Sequence, residues 1–217
     1  MPKAKTPRLA TYHHGNLRQA LIDSAVQLVE EGGPENVSVR EVAKRAGVSP
    51  GAPFRHFSSK TALMTAVAEQ AMRRFRSEIT NAVDNVATDD PIERFAAVGV
   101  AYLRWAIRNP THFQIISTRS LIDWDSSEFL RHDNEAVRVL MEGAMMEAQR
   151  RSMLRSNDIA DTQIAGRALV YGLARMFIDG HFAQWAMSGQ TAEQTTQNVL
   201  KHFVSLIGND APDQPRE

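Results

Sequence analysis

The chain has 217 residues, of which 43% are hydrophobic, so it can bury a sizeable core and does not belong to a disordered class. It contains no cysteine, which excludes disulfides, thiolate metal sites and cysteine nucleophiles. Its 25 basic and 25 acidic residues cancel overall. Residues 1–60, however, hold nine basic and only five acidic residues, as a localised surface for an anionic partner requires.

Residues 1–15 are basic, contain proline and show no hydrophobic periodicity, which predicts a flexible arm. Lys3, Lys5 and Arg8 suit an arm that enters a minor groove of DNA, and an unstructured, solubilising tail is the alternative. The adjacent His13 and His14 have no third ligand at a suitable spacing, so we expect no metal there.

Residues 16–60 predict three helices, and the second of them carries signals at both ends. Ser38 and Glu41 form an S-x-x-E capping box, and Gly47 follows the last apolar residue, where a left-handed backbone ends a helix. Ser49 and Pro50 then open a third helix. Two helices joined by a short glycine turn predict a helix-turn-helix, and an ordinary helical hairpin is the alternative.

Six further helices follow, and no alternation typical of β-strands persists anywhere. The predicted fold class is therefore all-α, with about nine helices, namely an N-terminal helix-turn-helix domain over 16–60 and a helical bundle over 61–208. Residues 209–217, with two prolines, predict a disordered tail. The six helices are expected over residues 60–85, 91–109, 110–122, 128–154, 158–187 and 191–207.

Residues 12–67 resemble the N-terminal domain of the TetR (tetracycline repressor) family of bacterial transcriptional regulators, with caps, turn and recognition helix in register. Residues 102–113 and 168–180 are similar to the regulatory domain of a subgroup with a His-Gly pair on its eighth helix, where this chain has Tyr171-Gly172. The resemblance implies a homodimeric DNA-binding regulator whose C-terminal domain binds a small effector. It also implies dimerisation through the last two helices and a pseudo-palindromic operator.

Ten residues form the predicted DNA-contacting set. A helix start suits a phosphate, small side chains permit close approach to base edges, and Arg55 can grip guanine or a phosphate. By resemblance, Lys60 stands where the family has a phosphate-binding lysine, and Phe54 where it usually has a tyrosine. Pro53 has no N–H, so it removes the first i→i−4 hydrogen bond of the predicted third helix, the recognition helix. The set is Ser38, Arg40, Ser49, Pro50, Gly51, Ala52, Phe54, Arg55, His56 and Lys60.

The predicted effector pocket lies among large apolar residues of the bundle, although residues at helical spacing also suit an ordinary core. Arg175 is the polar candidate, because a cation in the pocket favours an anionic effector. Its alternatives are exposure to solvent or an ion pair across the dimer. The predicted pocket residues are Trp105, Phe113, Ile116, Trp124, Met145, Arg175 and Phe177.

Two helix faces near the C-terminus predict the dimer contact, which comprises Leu169, Leu173, Phe177, Trp185, Val199, Phe203 and Leu206. The function that the resemblance implies is a repressor released from its operator by an effector. The alternative is a DNA-bound adaptor that recruits a protein partner without any effector. An enzyme is not expected, since no P-loop, G-x-G-x-x-G or G-x-S-x-G is present. Neither a cofactor nor a metal is expected, and short apolar runs predict a cytoplasmic protein without a membrane segment.

Overall fold

The computed structural model describes residues 17–155, 158–185 and 189–209, and its regular structure within these ranges is helical throughout. The predicted all-α class is confirmed. The predicted arm over 1–15, and residues 210–217 of the predicted tail, lie outside the described residues. The α-helices are α1 Leu17–Gly32, α2 Val39–Arg45, α3 Lys60–Asp84, α4 Pro91–Arg108, α5 Pro110–Ser117, α6 Glu128–Arg150, α7 Ile159–Ile178 and α8 Ala192–Ile207.

Most of these helices begin where the sequence carries a capping signal. In each case a side-chain oxygen accepts a hydrogen bond from a backbone N–H of the first turn, which would otherwise lack a partner. At α8 the reciprocal bond from the third helical residue is present as well. The observed caps are Ser38, Ser59, Asp90, Ser127, Asp158 and Thr191.

The turn after α2 has the geometry that its glycine predicts. Gly47 has φ +69°, its N–H donates to the Lys44 carbonyl at 3.2 Å, and the Val48 N–H donates to the Ala43 carbonyl at 3.0 Å. These two bonds form a Schellman motif, which ends α2 and satisfies two of its last carbonyls.

The third predicted helix of the N-terminal domain is not an α-helix. The Ser49 carbonyl accepts from the Ala52 N–H at 3.0 Å, and a single turn of 3₁₀-helix follows over Pro53–Arg55. Pro53 has no N–H to donate to Ser49, so the tighter i→i+3 pattern replaces the α-helical one. The described ranges therefore contain eight α-helices, one fewer than the approximate number predicted.

Three later helices end earlier than predicted. α5 stops at Ser117 and a separate 3₁₀-helix follows over Arg119–Leu121, while α6 stops at Arg150. α7 stops at Ile178 because Gly180 takes φ +74°, and a 3₁₀-helix, His181–Trp185, comes next. A left-handed glycine just past a helix end satisfies the last carbonyls and stops the helix.

The largest buried cluster runs without interruption from the N-terminal helices into the bundle. It includes Leu21 of α1, Val42 of α2, Phe75 of α3 and Leu173 of α7. α3 packs against α1 at one end and against α4, α5 and α6 along its length. With 25 residues it is about 37 Å long at 1.5 Å per residue, so it is a rigid connection between the two parts of the fold.

Candidate nucleic-acid interface and interior cavity

Residues 49–57, between α2 and α3, take the place of the predicted recognition helix, and we call them the reading segment. Two buried residues anchor this segment, and three of its side chains are exposed to solvent. Pro53 is buried, and the ring of Phe57 is only 3% exposed, with the Arg18 guanidinium 5.4 Å from its centre. Between these anchors Phe54, Arg55 and His56 are exposed. The segment is thereby held in place while its side chains remain available to a partner.

The basic residues near this segment differ in whether they already form hydrogen bonds or ion pairs within the protein. Arg45 binds the Glu31 carboxylate with two hydrogen bonds, which hold the pKa of Glu31 below its usual value. Lys60 donates to the Glu35 carbonyl at 3.2 Å. Arg40 and Arg55 are exposed and form no ion pair within the described part of the chain. Their donors are therefore free for phosphate or base edges.

An interior cavity of about 140 Å³ lies where α3, α4, α5, α6 and α7 meet. Its aromatic walls contact each other at an angle, with ring centres 5.2 Å apart for Phe75 and Tyr102, and 6.0 Å apart for Tyr102 and Phe113. Such tilted contacts stabilise a rigid aromatic wall. The lining residues are Met72, Phe75, Tyr102, Phe113, Ile116, Ser117, Arg119, Trp124, Asn134, Arg167 and Tyr171.

The polar groups of the cavity are mostly hydrogen-bond donors. Burial raises the pKa of Tyr102 to about 12, against the opposing effect of Arg167, so its hydroxyl keeps its proton at neutral pH. Arg119 stacks on Trp124, with its guanidinium carbon 3.4 Å from the ring centre, and the Arg167 guanidinium lies 5.0 Å from the Tyr102 ring. The cavity thus combines an aromatic interior with two cations.

Comparison with known proteins matches both parts of the fold. Residues 21–67 match the family described as bacterial regulatory proteins, tetR family, and residues 95–203 match a tetracyclin repressor-like C-terminal domain. The chain belongs to the TetR family. It is a DNA-binding transcriptional regulator, and its family consists of regulators, not of enzymes. Within its described residues, none of the helices is both long and apolar enough to cross a membrane.

Individual relatives cover most of this TetR-family chain. The HTH-type transcriptional regulator BetI of Escherichia coli (strain K12) is 27% identical over 196 residues, which span 87% of this chain and 92% of that protein. BetI of Rhizobium meliloti (strain 1021) is 33% identical over 81 residues, 37% of this chain and 39% of that protein.

Two solved structures share the fold. A protein of unknown function from Rhodococcus sp. RHA1 superimposes with a TM-score of 0.75 at 24% identity, over 93% of this chain and 100% of the other. A TetR family transcription regulator from Marinobacter aquaeolei VT8 superimposes with a TM-score of 0.66 at 15% identity, over 90% and 97%. At these identities the likeness supports the fold and no finer property.

All ten residues of the predicted DNA-contacting set lie within the described ranges. Ala52 and Lys60 are half-buried, and the other eight are exposed. Ser49 lies in the turn that precedes the 3₁₀-helix and does not cap it, because that helix begins after Ala52 and has no side-chain cap. The contact with DNA itself stays a prediction.

The predicted pocket residues divide between the cavity and other places. Phe113, Ile116 and Trp124 line it. Trp105 is buried and packs against Phe75, and Met145 belongs to a separate buried cluster. The remaining two, Arg175 and Phe177, are half-buried and are not among its lining residues; Arg175 pairs with Asp179 on its own helix at 2.9 Å.

Sequence reasoning did not select seven polar or aromatic lining residues, namely Phe75, Tyr102, Ser117, Arg119, Asn134, Arg167 and Tyr171. One signal was present, because Arg167, Tyr171 and Arg175 are spaced by four residues and share one face of α7. Arg119 had no such signal. It lies in the cavity because α5 stops at Ser117 and the chain turns there.

Proposed function

We propose that this TetR-family regulator is a repressor that leaves its operator when a small molecule fills the cavity beneath α3. The observation that carries the proposal is the position of that helix. α3 supplies Met72 and Phe75 to the cavity, and it begins at Lys60, a few residues after the reading segment. A change in the cavity therefore acts on the helix from which the DNA-binding part extends.

On the DNA side, the proposed contacts come from two short elements. Arg55 and His56 extend from the reading segment, and Arg40 extends from the first turn of α2. Arg55 has the geometry to bind guanine through two hydrogen bonds. Arg40, His56 and Lys60 are proposed to bind phosphates, which contribute affinity without reading sequence. The small residues Pro50, Gly51 and Ala52 leave room for base edges, and Ser38 and Ser49 are the remaining proposed contacts.

On the effector side, α5 also connects the cavity to the DNA-binding domain. Phe113 and Ile116 line the cavity, while α5 also contacts α1 and α3. Because packed cores shift between discrete arrangements and do not deform continuously, a bound molecule displaces whole helices. Binding that favours the displaced state shifts the population away from the DNA-binding one.

The proposed dimer contact uses α7 and α8. Ile164 of α7 is 66% exposed, Leu206 of α8 54%, and Trp185 of the 3₁₀-helix that follows α7 71%, which supports a contact with a second subunit on this side. Leu173, which the sequence also suggested, is buried in its own subunit's core. Two helices from each subunit complete a four-helix bundle. The twofold axis then requires half-sites about 34–36 Å apart, or a multiple of this spacing.

The alternative function, an adaptor without an effector, requires a filled C-terminal core. The 140 Å³ cavity with its polar groups supports a sensor instead.

Selection of binding sites from random DNA by the full-length protein tests the proposal. We expect an inverted repeat, and we expect cell extract from the producing organism to contain a small molecule that releases the selected DNA. A single asymmetric half-site would contradict the dimer geometry. An operator complex that no small-molecule fraction releases would contradict the repressor mechanism and favour the adaptor.

Phe54→Tyr should strengthen binding to the selected operator by about two- to tenfold, because one added hydrogen bond contributes about 0.5–1.5 kcal/mol net. Phe54 is 55% exposed, so the hydroxyl needs no rearrangement. Fluorescence anisotropy at fixed salt measures the change. Phe129→Tyr is the matched control, since Phe129 is 60% exposed on α6 and far along the chain from the reading segment. An equal gain in both variants, or none in Phe54→Tyr, would show that this position does not face a phosphate.

A further inference from the structure

The cavity under α3 carries an unbalanced positive charge. Arg119 and Arg167 both line it, and none of its lining residues, all of them described, is acidic. Neither guanidinium forms an ion pair within the described ranges. Both residues are exposed while Phe113 is 1% exposed, so the cations stand at the open end of the cavity and Phe113 at its closed end.

The two arginines lie close enough to repel each other. Burial lowers the pKa of Arg119, Asp125 opposes this shift, and Arg167 adds to it. Stacking on Trp124 holds the Arg119 guanidinium in place, so it cannot relax away freely. Two like charges held close together, with no carboxylate within ion-pair distance in the described ranges, make a site that an anion stabilises.

Further unused donors lie beside them. The Tyr102 hydroxyl lines the same cavity and stays protonated, and Asn134 contributes an amide. An adjoining cleft shares Asn134 and Arg167, and it includes Gln163, whose buried amide nitrogen has no acceptor among the residues that the structure describes. A buried donor without a partner is costly, so an added acceptor at this junction is favourable.

The closed end limits the apolar part of the ligand. A cavity of about 150 Å³ holds one benzene ring, and this one measures about 140 Å³. Its buried walls are the rings of Phe75, Tyr102 and Phe113, which pack well against a planar ring.

We infer that the cavity binds a small aromatic carboxylate, with its ring between the aromatic side chains and its carboxylate bound by Arg119 and Arg167. The inference rests on the proposed function only in assigning this molecule the role of effector. Arg175, the cation that the sequence suggested, is already paired with Asp179 and takes no part.

Calorimetric titration of the full-length protein with benzoate and cinnamate, and with the neutral benzamide and cinnamamide, tests the site. We expect at least one carboxylate to bind, and its amide to bind at least tenfold more weakly. Arg119→Gln and Arg167→Gln should each weaken carboxylate binding about ten- to hundredfold and leave amide binding unchanged. Arg175→Gln is the matched control on α7 and should bind as wild type. Both targeted residues are exposed, so melting temperatures should remain unchanged.

Amide binding as tight as carboxylate binding would overturn the inference. So would unchanged carboxylate affinity in both glutamine variants, or no binding by any of the four compounds. A carboxylate that binds but leaves the operator complex intact would keep the anion site and contradict effector release. Operator release by neutral compounds alone would keep the release mechanism and contradict the anion site.

Discussion

Arg55→Ala is expected to weaken operator binding by about 1–3 kcal/mol, which is roughly five- to 150-fold, and to relax base preference at one position of each half-site. Arg55 is exposed on a segment that the buried Pro53 and Phe57 hold in place, and it has no ion-pair partner in the described part of the chain. Its guanidinium is therefore available to DNA without breaking an existing ion pair. Anisotropy titrations against the selected operator and single-base variants measure both effects.

Two further variants separate base reading from phosphate binding. Lys60→Ala should lower affinity by the same factor for all DNA sequences. It should also reduce the slope of log K against log salt concentration by about one unit. Arg45→Ala is the control, because Arg45 is already bound to Glu31 and should change operator affinity little. Full affinity in an Arg55→Ala, Lys60→Ala double variant would overturn the assignment of the DNA-binding surface.

Arg76→Ala is expected to lower the free energy of unfolding by about 2–3 kcal/mol, because it leaves a carboxylate buried without a counter-charge. Asp133 of α6 is only 4% exposed and accepts a 2.7 Å bond from Arg76 of α3. The Arg76 side chain is 41% exposed, which places the expected loss below that of a fully buried pair. Urea denaturation at equal protein concentration measures it, since dimerisation makes apparent stability depend on concentration.

Arg138→Ala is the matched control for this pair. Arg138 is an arginine of α6 that pairs with Glu135 and Glu142 on its own exposed helix face. Exposed pairs of this kind contribute at most about 0.5 kcal/mol, so the loss should be small. Asp133→Asn should also cost less than Arg76→Ala, because an amide carries no charge to desolvate. An equal decrease in the free energy of unfolding for Arg76→Ala and Arg138→Ala would show that the burial of Asp133 does not increase the cost of removing its partner.

Features set by local hydrogen bonding were predictable from the sequence. Ser38 caps the helix it was expected to cap, and Gly47 adopts the left-handed backbone expected of it. Each depends on residues within four or five positions, so the chain's own order contains the information. The all-α class followed for the same reason.

The conformation of the reading segment was not predictable from local sequence signals alone. The sequence predicted that Pro53 removes one bond of the recognition helix, yet it did not show that the segment becomes a turn and a 3₁₀-helix. Besides the missing N–H of Pro53, the burial of Pro53 and Phe57 against the domain contributes to that outcome, because so short a segment can form few helical bonds.

By itself, the sequence determined the all-α class, several helix caps and the glycine turn after α2, because these follow from contacts close along the chain. Only the tertiary structure decided which apolar residues surround a cavity and which fill the core. Trp105 and Phe113 have the same chemical character, but only Phe113 lines the cavity. Likewise Arg119 and Arg167 meet there, while Arg175 is paired with Asp179. Close packing is a collective property of several helices, and no spacing along one helix reveals where a gap remains.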